Sequence, residues 1–291
     1  MTAYSIDERA KIGGLSLQVA DIARIRRFYG EMLGFRIDDW GDGVLALRAG
    51  DGPTLILVEQ RPDAVPRPRR ATGLYHFAIR LPSRLDLARF LRHAVSANLR
   101  LEGASDHGVS EALYLTDPEG NGIEITIDRP RSTWRTQDGR LDMGTEPLDV
   151  EGLLATLTDD TPGWAGMPVG SDIGHVHLQV ADLASTERFY CDGLGLQLQM
   201  RYGGSALFMS AGGYHHHVGA NTWLSAGASP PPEEAVGLHY FALHLPDQDA
   251  LGDLVEHLAS AGIHVVSHEG TYRVTDPSGI RIVLVTAGHL P

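Results

Sequence analysis

Two histidines and one glutamate stand where predicted strands would carry them, and together they could hold a metal ion. His76 and His175 each open an alternating run, and Glu124 lies between two isoleucines. Two imidazoles and one carboxylate form a facial triad that leaves coordination positions open on Fe(II), and carboxylate-rich variants suit other divalent metals. Singly, each residue could be an ordinary surface side chain, because Glu124 and Thr126 share a strand face that fronts either solvent or a polar cavity. The combination predicts a metal site.

Glu124 is positioned by a predicted β-hairpin. The alternating segment Glu111–Thr116 leads into the turn Asp117–Gly122, and the β-branched run Ile123–Ile127 follows. A proline after aspartate and two glycines supply the backbone dihedral angles that a lengthened hairpin loop needs. The hairpin therefore fixes the strand face from which Glu124 projects.

A tandem duplication organises the chain. Three segments of the first half recur in order in the second: Leu17–Asp21 as Leu178–Asp182, Arg27–Tyr29 as Arg188–Tyr190, and Leu33–Gly34 as Leu194–Gly195. In each copy a strand ends at an aspartate suited to cap a helix, and an amphipathic helix and two or three strands follow. The order of strand, helix and strands then occurs a second time within the copy. The residues around the triad are predicted as strands at Tyr75–Leu81, Ser110–Thr116, Gly122–Ile127, His175–Val180 and Tyr214–Ala220.

This order predicts an α+β fold of four βαβββ modules with cupped mixed β-sheets. We expect a first domain at residues 1–129 (modules 1 and 2), a linker with a short helix at 130–170, and a second domain at 171–291 (modules 3 and 4).

The duplication also provides an internal comparison for the metal site. Gly14 stands in the first copy where His175 stands in the second, and the fourth module has Arg281 in place of Glu124. A cationic side chain would repel a metal ion. We therefore predict one metal site per chain, shared by modules 2 and 3.

The charge of the chain excludes several classes of partner. Its net charge is −13, from 24 basic and 37 acidic residues. Nucleic acids and anionic membranes are bound mainly through basic patches, so neither is expected. The single cysteine, Cys191, permits no internal disulfide and fits a reducing compartment. With no signal-peptide pattern and no apolar run long enough to span a bilayer, we expect a cytoplasmic protein.

Paired strand-helix-strand modules with a histidine on a first strand and a glutamate on a last strand resemble the vicinal oxygen chelate superfamily. This superfamily includes glyoxalase I, fosfomycin-resistance proteins, bleomycin-binding proteins and type I extradiol dioxygenases. The resemblance covers nearly the whole chain outside the linker. In that superfamily the first-strand histidine precedes the helix-starting aspartate by seven residues, as His175 precedes Asp182. The glutamate follows the turn proline by six residues, as Glu124 follows Pro118. The resemblance implies the metal ligands His76, His175 and Glu124.

Within the superfamily the chain most resembles the two-copy catechol 2,3-dioxygenases. Extradiol dioxygenases carry a tyrosine four residues before the turn proline, as Tyr114 is, and a histidine further upstream, to which His107 is similar at a slightly shorter spacing. They also carry an acid/base histidine in the module opened by the first ligand. In the run His215–His217, His216 matches it best.

This resemblance implies that the metal is Fe(II), with Mn, Ni and Zn as alternatives, and that the substrates are a small aromatic diol and O₂. A homo-oligomer is a possible assembly. His216 would act as base and then as acid, and Tyr114 and His107 would hydrogen-bond the reacting oxygens. The order of modules departs from the family, because in extradiol dioxygenases both site-forming modules lie in one domain. Module 2 must therefore face module 3 across the two copies.

Two alternatives remain at this level. A glyoxalase-type lyase or isomerase would use Ni²⁺, Zn²⁺ or Mg²⁺ with a second carboxylate, for which Glu59 is the only strand candidate in module 1. A non-catalytic binding or resistance protein of the same fold is the other, although the intact ligand set and Tyr114 argue against it. We expect no role for Cys191.

Overall fold

The computed structural model describes residues 4–137, 140–268, 271–286 and 290. Its strands are β1 (Lys11–Val19), β2 (Arg36–Gly41), β3 (Val44–Arg48), β4 (Thr54–Gln60), β5 (Gly73–Arg80), β6 (Gly103–Asp106), β7 (Ser110–Thr116), β8 (Gly122–Asp128), β9 (Thr136–Gln137), β10 (Arg140–Leu141), β11 (Glu146–Pro147), β12 (Asp172–Gln179), β13 (Gln197–Tyr202), β14 (Ala206–Ser210), β15 (Val218–Asn221), β16 (Gly237–Leu245), β17 (Val266–His268), β18 (Thr271–Thr275) and β19 (Arg281–Thr286). Its helices are α1 (Ile22–Arg26), α2 (Arg84–Ser96), α3 (Val150–Leu154), α4 (Leu183–Glu187) and α5 (Gln248–Ser260), with π-helical turns at Arg27–Met32 and Arg188–Gly193 and a 3₁₀ turn at Arg131–Thr133.

The strands form two large mixed sheets. One has the order β17-β18-β19-β16-β1-β4-β3-β2, and the other has the order β11-β6-β7-β8-β5-β12-β15-β14-β13. The first sheet joins modules 1 and 4, and the second joins modules 2 and 3. Each module has one strand, one helix and three further strands, so the predicted α+β fold of four βαβββ modules is confirmed.

Modules 2 and 3 meet where β5 pairs with β12 in antiparallel register. This is the arrangement that the resemblance required, with module 2 beside module 3 although they belong to different copies. β1 and β16 make the corresponding contact between modules 1 and 4. The division of the chain into domains at residues 1–129, 130–170 and 171–291 stays a prediction.

Both predicted helix caps form. The Asp21 carboxylate accepts hydrogen bonds from the amides of Ala23 and Arg24, and the Asp182 carboxylate accepts one from Ser185. Each helix then widens into a π-helical turn, a form too rare for the apolar pattern alone to predict. No helix among the described residues has the length and apolar composition needed to cross a membrane.

One continuous apolar cluster joins the sheets to their helices. Phe77 of β5, Leu178 of β12 and Leu254 of α5 are fully buried members of it. Burying a side chain of this size contributes about 1.5–3 kcal/mol. Because successive strand residues point to opposite faces, the placement of Leu178 in the core turns His175 and His177 to the other face of β12.

The predicted strand Tyr214–Ala220 is wrong in its first half, since β15 begins only at Val218. Gly212 and Gly213 have φ angles of 57° and 64°, which lie in the left-handed region and bend the chain out of the sheet. The residues just before β15, including the consecutive histidines, therefore lie in an irregular segment in which side chains do not alternate.

Candidate metal centre

The three predicted metal ligands lie on three neighbouring strands, β8, β5 and β12. Ala78 of β5 pairs with Glu124 on one side and with His175 on the other, and His76 lies two residues earlier on the same face. The short side chain of Ala78 leaves room in front of the sheet between the ligands. The sheet thus brings together residues that are far apart in the sequence.

The three ligand atoms form a nearly equilateral triangle. His76 Nε2 lies 3.3 Å from His175 Nε2, and Glu124 Oε2 lies 3.2 Å from each of them. At a metal–ligand distance of about 2.1 Å, neighbouring ligands of an octahedron stand about 3 Å apart. The residues therefore fit one face of a metal coordination sphere, which is the geometry of the 2-His-1-carboxylate triad.

The protonation states also suit a metal. The side chains are buried, with 2% of His175 and 3% of Glu124 exposed. Burial lowers the pKa of His175 to about 4, so its imidazole is neutral and keeps a lone pair. Burial alone would raise the pKa of Glu124, but the neighbouring imidazoles of His175 and His76 hold it well below its usual range.

Gly122 sets the spacing of β5 and β8 beside the triad. A Cβ atom at Gly122 would lie 2.4 Å from the carbonyl oxygen of Tyr75 and 2.9 Å from the Cβ of His76. The nearer contact is with the backbone, so no side-chain rotation relieves it.

Gly122→Ala should therefore push β8 away from β5. We expect a loss of about 1–3 kcal/mol in the free energy of unfolding and a metal affinity about 10–100-fold lower, measured by urea denaturation and metal titration. Gly120→Ala is the matched control, because a Cβ atom there meets nothing within 4 Å among the described residues. Its φ of 88° costs about 1–2 kcal/mol, but metal affinity should not change. Equal affinities in the two variants would contradict the spacing role.

Tyr114 and His107 lie together beside the triad. Tyr114 on β7 pairs directly with Glu124 on β8, and its hydroxyl lies 2.7 Å from His107 Nε2. The other ring nitrogen, His107 Nδ1, lies 2.8 Å from the carbonyl oxygen of Gly144 and must donate to it. A neutral His107 therefore accepts the Tyr114 hydrogen. Burial and the charge of Glu124 raise the pKa of Tyr114, so it remains a phenol with a proton to donate.

Of the three consecutive histidines, His216 faces the cavity beside the triad. Its ring centroid lies 4.0 Å from that of His175, and its buried Nε2 has no hydrogen-bond partner in the described part of the chain. His215 points toward Asp128, and His217 accepts a backbone hydrogen bond. Burial, with the nearby imidazoles, lowers the pKa of His216 well below its ordinary value, so the ring is neutral.

The cavity in front of the triad has a volume of about 830 Å³. Its apolar wall is formed by Tyr75, Met200, Tyr202, Phe208, Trp223 and Leu224. His177 also lines it, and its buried Nε2 has no hydrogen-bond partner among the residues described. Sequence reasoning missed His177, although it follows His175 by two positions, the strand period that places both on one face.

The alternative ligand Glu59 lies in the other sheet. It accepts hydrogen bonds from Ser16 Oγ (2.7 Å) and from His239 Nδ1 (3.1 Å). The metal-ligand clusters formed by described residues contain no second carboxylate, since the one other cluster combines His175 with two histidines. The described residues therefore form no glyoxalase-type carboxylate-rich site. Burial raises the pKa of Cys191 to about 12, which leaves an unreactive thiol.

Comparison with known proteins places this site in a family context. A model of the Glyoxalase/Bleomycin resistance protein/Dioxygenase superfamily matches residues 11–125 and 172–284. A protein of Bacillus subtilis (strain 168) named catechol-2,3-dioxygenase is 43% identical over 289 residues, covering 97% of this chain and 99% of the relative.

Two solved structures share the fold. One, from Bacillus subtilis subsp. subtilis str. 168, has a TM-score of 0.63 at 15% identity and covers 99% of this chain and 87% of its own. Glyoxalase I from Zea mays has a TM-score of 0.56 at 16% identity, covering 94% and 92%. At these identities the two structures support the fold alone.

Proposed function

The chain belongs to the glyoxalase/bleomycin resistance protein/dioxygenase superfamily, and on this premise we propose that it is an Fe(II)-dependent extradiol dioxygenase. It would cleave the ring of a catechol-type substrate with O₂ at one metal site per chain, between modules 2 and 3. The observation that carries the proposal is the triangle of His76, Glu124 and His175 at 3.2–3.3 Å, with His216 and Tyr114 at the wall of the same cavity.

His76, His175 and Glu124 would hold the metal. Fe(II), when bound there, would supply a Lewis acid for the two catechol oxygens and the redox chemistry that O₂ requires. Mn would suit the same donor set, so the identity of the metal as Fe(II) is itself part of the proposal.

The remaining side chains move and hold protons. His216 presents a neutral Nε2 to the cavity, so it can accept the proton of a catechol hydroxyl and return it during ring opening. Tyr114 keeps its hydroxyl hydrogen and lies beside the triad, where the hydroxyl can turn this hydrogen from His107 Nε2 to a reacting oxygen. His107 holds the Tyr114 oxygen in place through the 2.7 Å contact.

The cavity favours a substituted catechol. Its volume of about 830 Å³ lies near the upper end of the range that holds drug-sized ligands, about 300–1,000 Å³, and a bare catechol would leave much of it unfilled. The aromatic part of the wall, with Tyr75 and Trp223 at 5.2 Å between ring centroids, suits an apolar substituent.

The test is direct. The chain is loaded with Fe(II) without oxygen and given catechol, alkylcatechols or an arylcatechol, and oxygen uptake is recorded beside product formation. We expect one O₂ per substrate and a ring-opened semialdehyde that contains both oxygen atoms. Chains loaded with Mn, Ni or Zn identify the active metal. An iron-loaded chain that consumes no oxygen with any catechol would overturn the proposal.

Tyr114→Phe should lower kcat by about 10²–10³-fold, because a hydrogen-bond donor to a reacting oxygen is removed while the ring is kept. Metal content should not change. Tyr202→Phe is the control, since Tyr202 lines the same cavity but is 55% exposed. Oxygen uptake under saturating substrate measures the effect, and equal rates for the two variants would exclude Tyr114 from catalysis.

A further inference from the structure

A chain of hydrogen bonds runs from the partly buried carboxylate of Asp128 to the ring of His216. Asp128 Oδ1 lies 3.1 Å from His215 Nε2, and His215 Nδ1 lies 2.8 Å from His216 Nδ1. The far nitrogen of His216, Nε2, is buried at the cavity and has no partner among the described residues. These hydrogen bonds therefore connect Asp128 to the His216 ring, whose Nε2 would contact the substrate.

The chemistry of the three groups fixes where the hydrogens lie. An ionised carboxylate only accepts, so His215 must donate from Nε2. A neutral His215 then has a bare Nδ1, which must accept a hydrogen from His216 Nδ1. With His215 neutral, His216 carries its hydrogen on Nδ1, and its Nε2 presents a lone pair to the cavity, as a base requires.

Asp128 is held as an anion in a fixed position. Arg80 Nη1 donates to its Oδ2 at 2.7 Å, and the Tyr214 hydroxyl lies 3.0 Å from Oδ2. Burial alone would raise the pKa of Asp128, but His215 and Arg80 lower it to about 2. The same Arg80 also binds Asp172, at 2.7 and 2.9 Å, and no hydrogen bond or ion pair joins Asp172 to His215 among the described residues.

We infer, on the premise of the proposed function, that Asp128 and His215 are positioning residues that fix the ring orientation and the Nδ1–H tautomer of His216. The inference rests on the two short contacts and the hydrogen-bonding capacities of the groups. The same roles explain why the consecutive residues His215 and His216 are both buried, because each takes part in this series of hydrogen bonds.

Asp128→Asn should reverse the donor and acceptor roles along these hydrogen bonds without moving the atoms that form them. Arg80 has only hydrogens to offer, so the amide oxygen of the new side chain must take the Oδ2 position. Its NH₂ group then faces His215 Nε2 and donates to it. His215 must donate from Nδ1, and His216 is forced into the Nε2–H tautomer, with no lone pair at the cavity.

The first readout is the tautomer itself. Histidine ¹⁵N NMR spectra of the full chain, metal-free and loaded with diamagnetic Zn(II), should assign Nδ1–H to His216 in the wild type and Nε2–H in Asp128→Asn. His215→Phe, which removes the acceptor, should raise the Nε2–H fraction of His216 by about tenfold. Asp172→Asn is the control, because it disturbs Arg80 but not His215, and it should keep the wild-type tautomer. An unchanged tautomer in folded Asp128→Asn and His215→Phe would overturn the inference.

The second readout is kinetic and uses the Fe(II)-loaded enzyme. A wrong histidine tautomer costs about 10⁴ in kcat in the serine protease triad, so Asp128→Asn should lower kcat at least about a hundredfold. KM for the catechol and the iron content should stay within about twofold. If the wild type turns over no catechol, the proposed function is wrong. The NMR measurement still tests the tautomer of His216, because it does not depend on activity. If the wild type is active and Asp128→Asn is equally active, the positioning role fails.

Discussion

Replacing Glu124 by alanine should leave a folded chain that no longer retains Fe(II), and catechol cleavage should fall by at least about a thousandfold. A catalytic metal supplies several kcal/mol of stabilisation to the transition state, and about 4 kcal/mol corresponds to three orders of magnitude in rate. Glu124 is the only anion within the ligand triangle, so its loss leaves two neutral imidazoles, His76 and His175, to hold a divalent cation.

The measurement is iron content after gel filtration, beside oxygen uptake with the best catechol. Glu59→Ala is a matched control, because Glu59 is also a strand carboxylate that accepts a hydrogen bond from a histidine, His239, but lies in the other sheet. It should keep full iron content and activity. A Glu124 variant that binds iron and turns over normally would show that the triangle is not the metal site.

His216→Phe should keep the metal and lose the reaction. Phenylalanine preserves a planar ring against His175 and Phe208, whose centroids lie 4.0 and 4.9 Å from that of His216. It removes Nε2, the proton acceptor at the cavity. Positioned acid/base groups contribute about 10²–10⁴-fold, so kcat should fall by that factor while iron content and substrate affinity change little.

The control for His216 is its neighbour. His217→Asn keeps an oxygen that can accept the hydrogen bond which Nδ1 of His217 receives from the Ala211 amide at 3.2 Å, and kcat should stay near the wild-type value. Single-turnover oxygen consumption separates the chemical step from product release in both variants. Equal rates in the His216 and His217 variants would remove His216 from the mechanism.

The sequence by itself determined the modules and the candidate ligands. The strand period of two and the turn residues Asp117–Gly122 depend on local backbone geometry, so they predicted β7 and β8 and the face of Glu124 correctly. The duplication then indicated, from Gly14 and Arg281, that a complete ligand set occurs once. These inferences needed only neighbouring residues and the comparison of the two copies.

The tertiary structure decided how the modules combine. Pairing of β5 with β12 depends on contacts between residues about a hundred positions apart, and a local pattern carries no information about which edge strand meets which. The resemblance required this pairing, but the register that places Ala78 between Glu124 and His175 is a property of the assembled sheet.

The orientation of the consecutive histidines was also beyond the sequence. On a regular strand His215 and His216 would point to opposite faces, yet their Nδ1 atoms lie 2.8 Å apart because the chain bends at Gly212 and Gly213 before β15. Where the backbone is regular, residue spacing fixes side-chain direction. Where it is irregular, long-range partners such as Asp128 fix it, and those partners exist only once the sheets have formed.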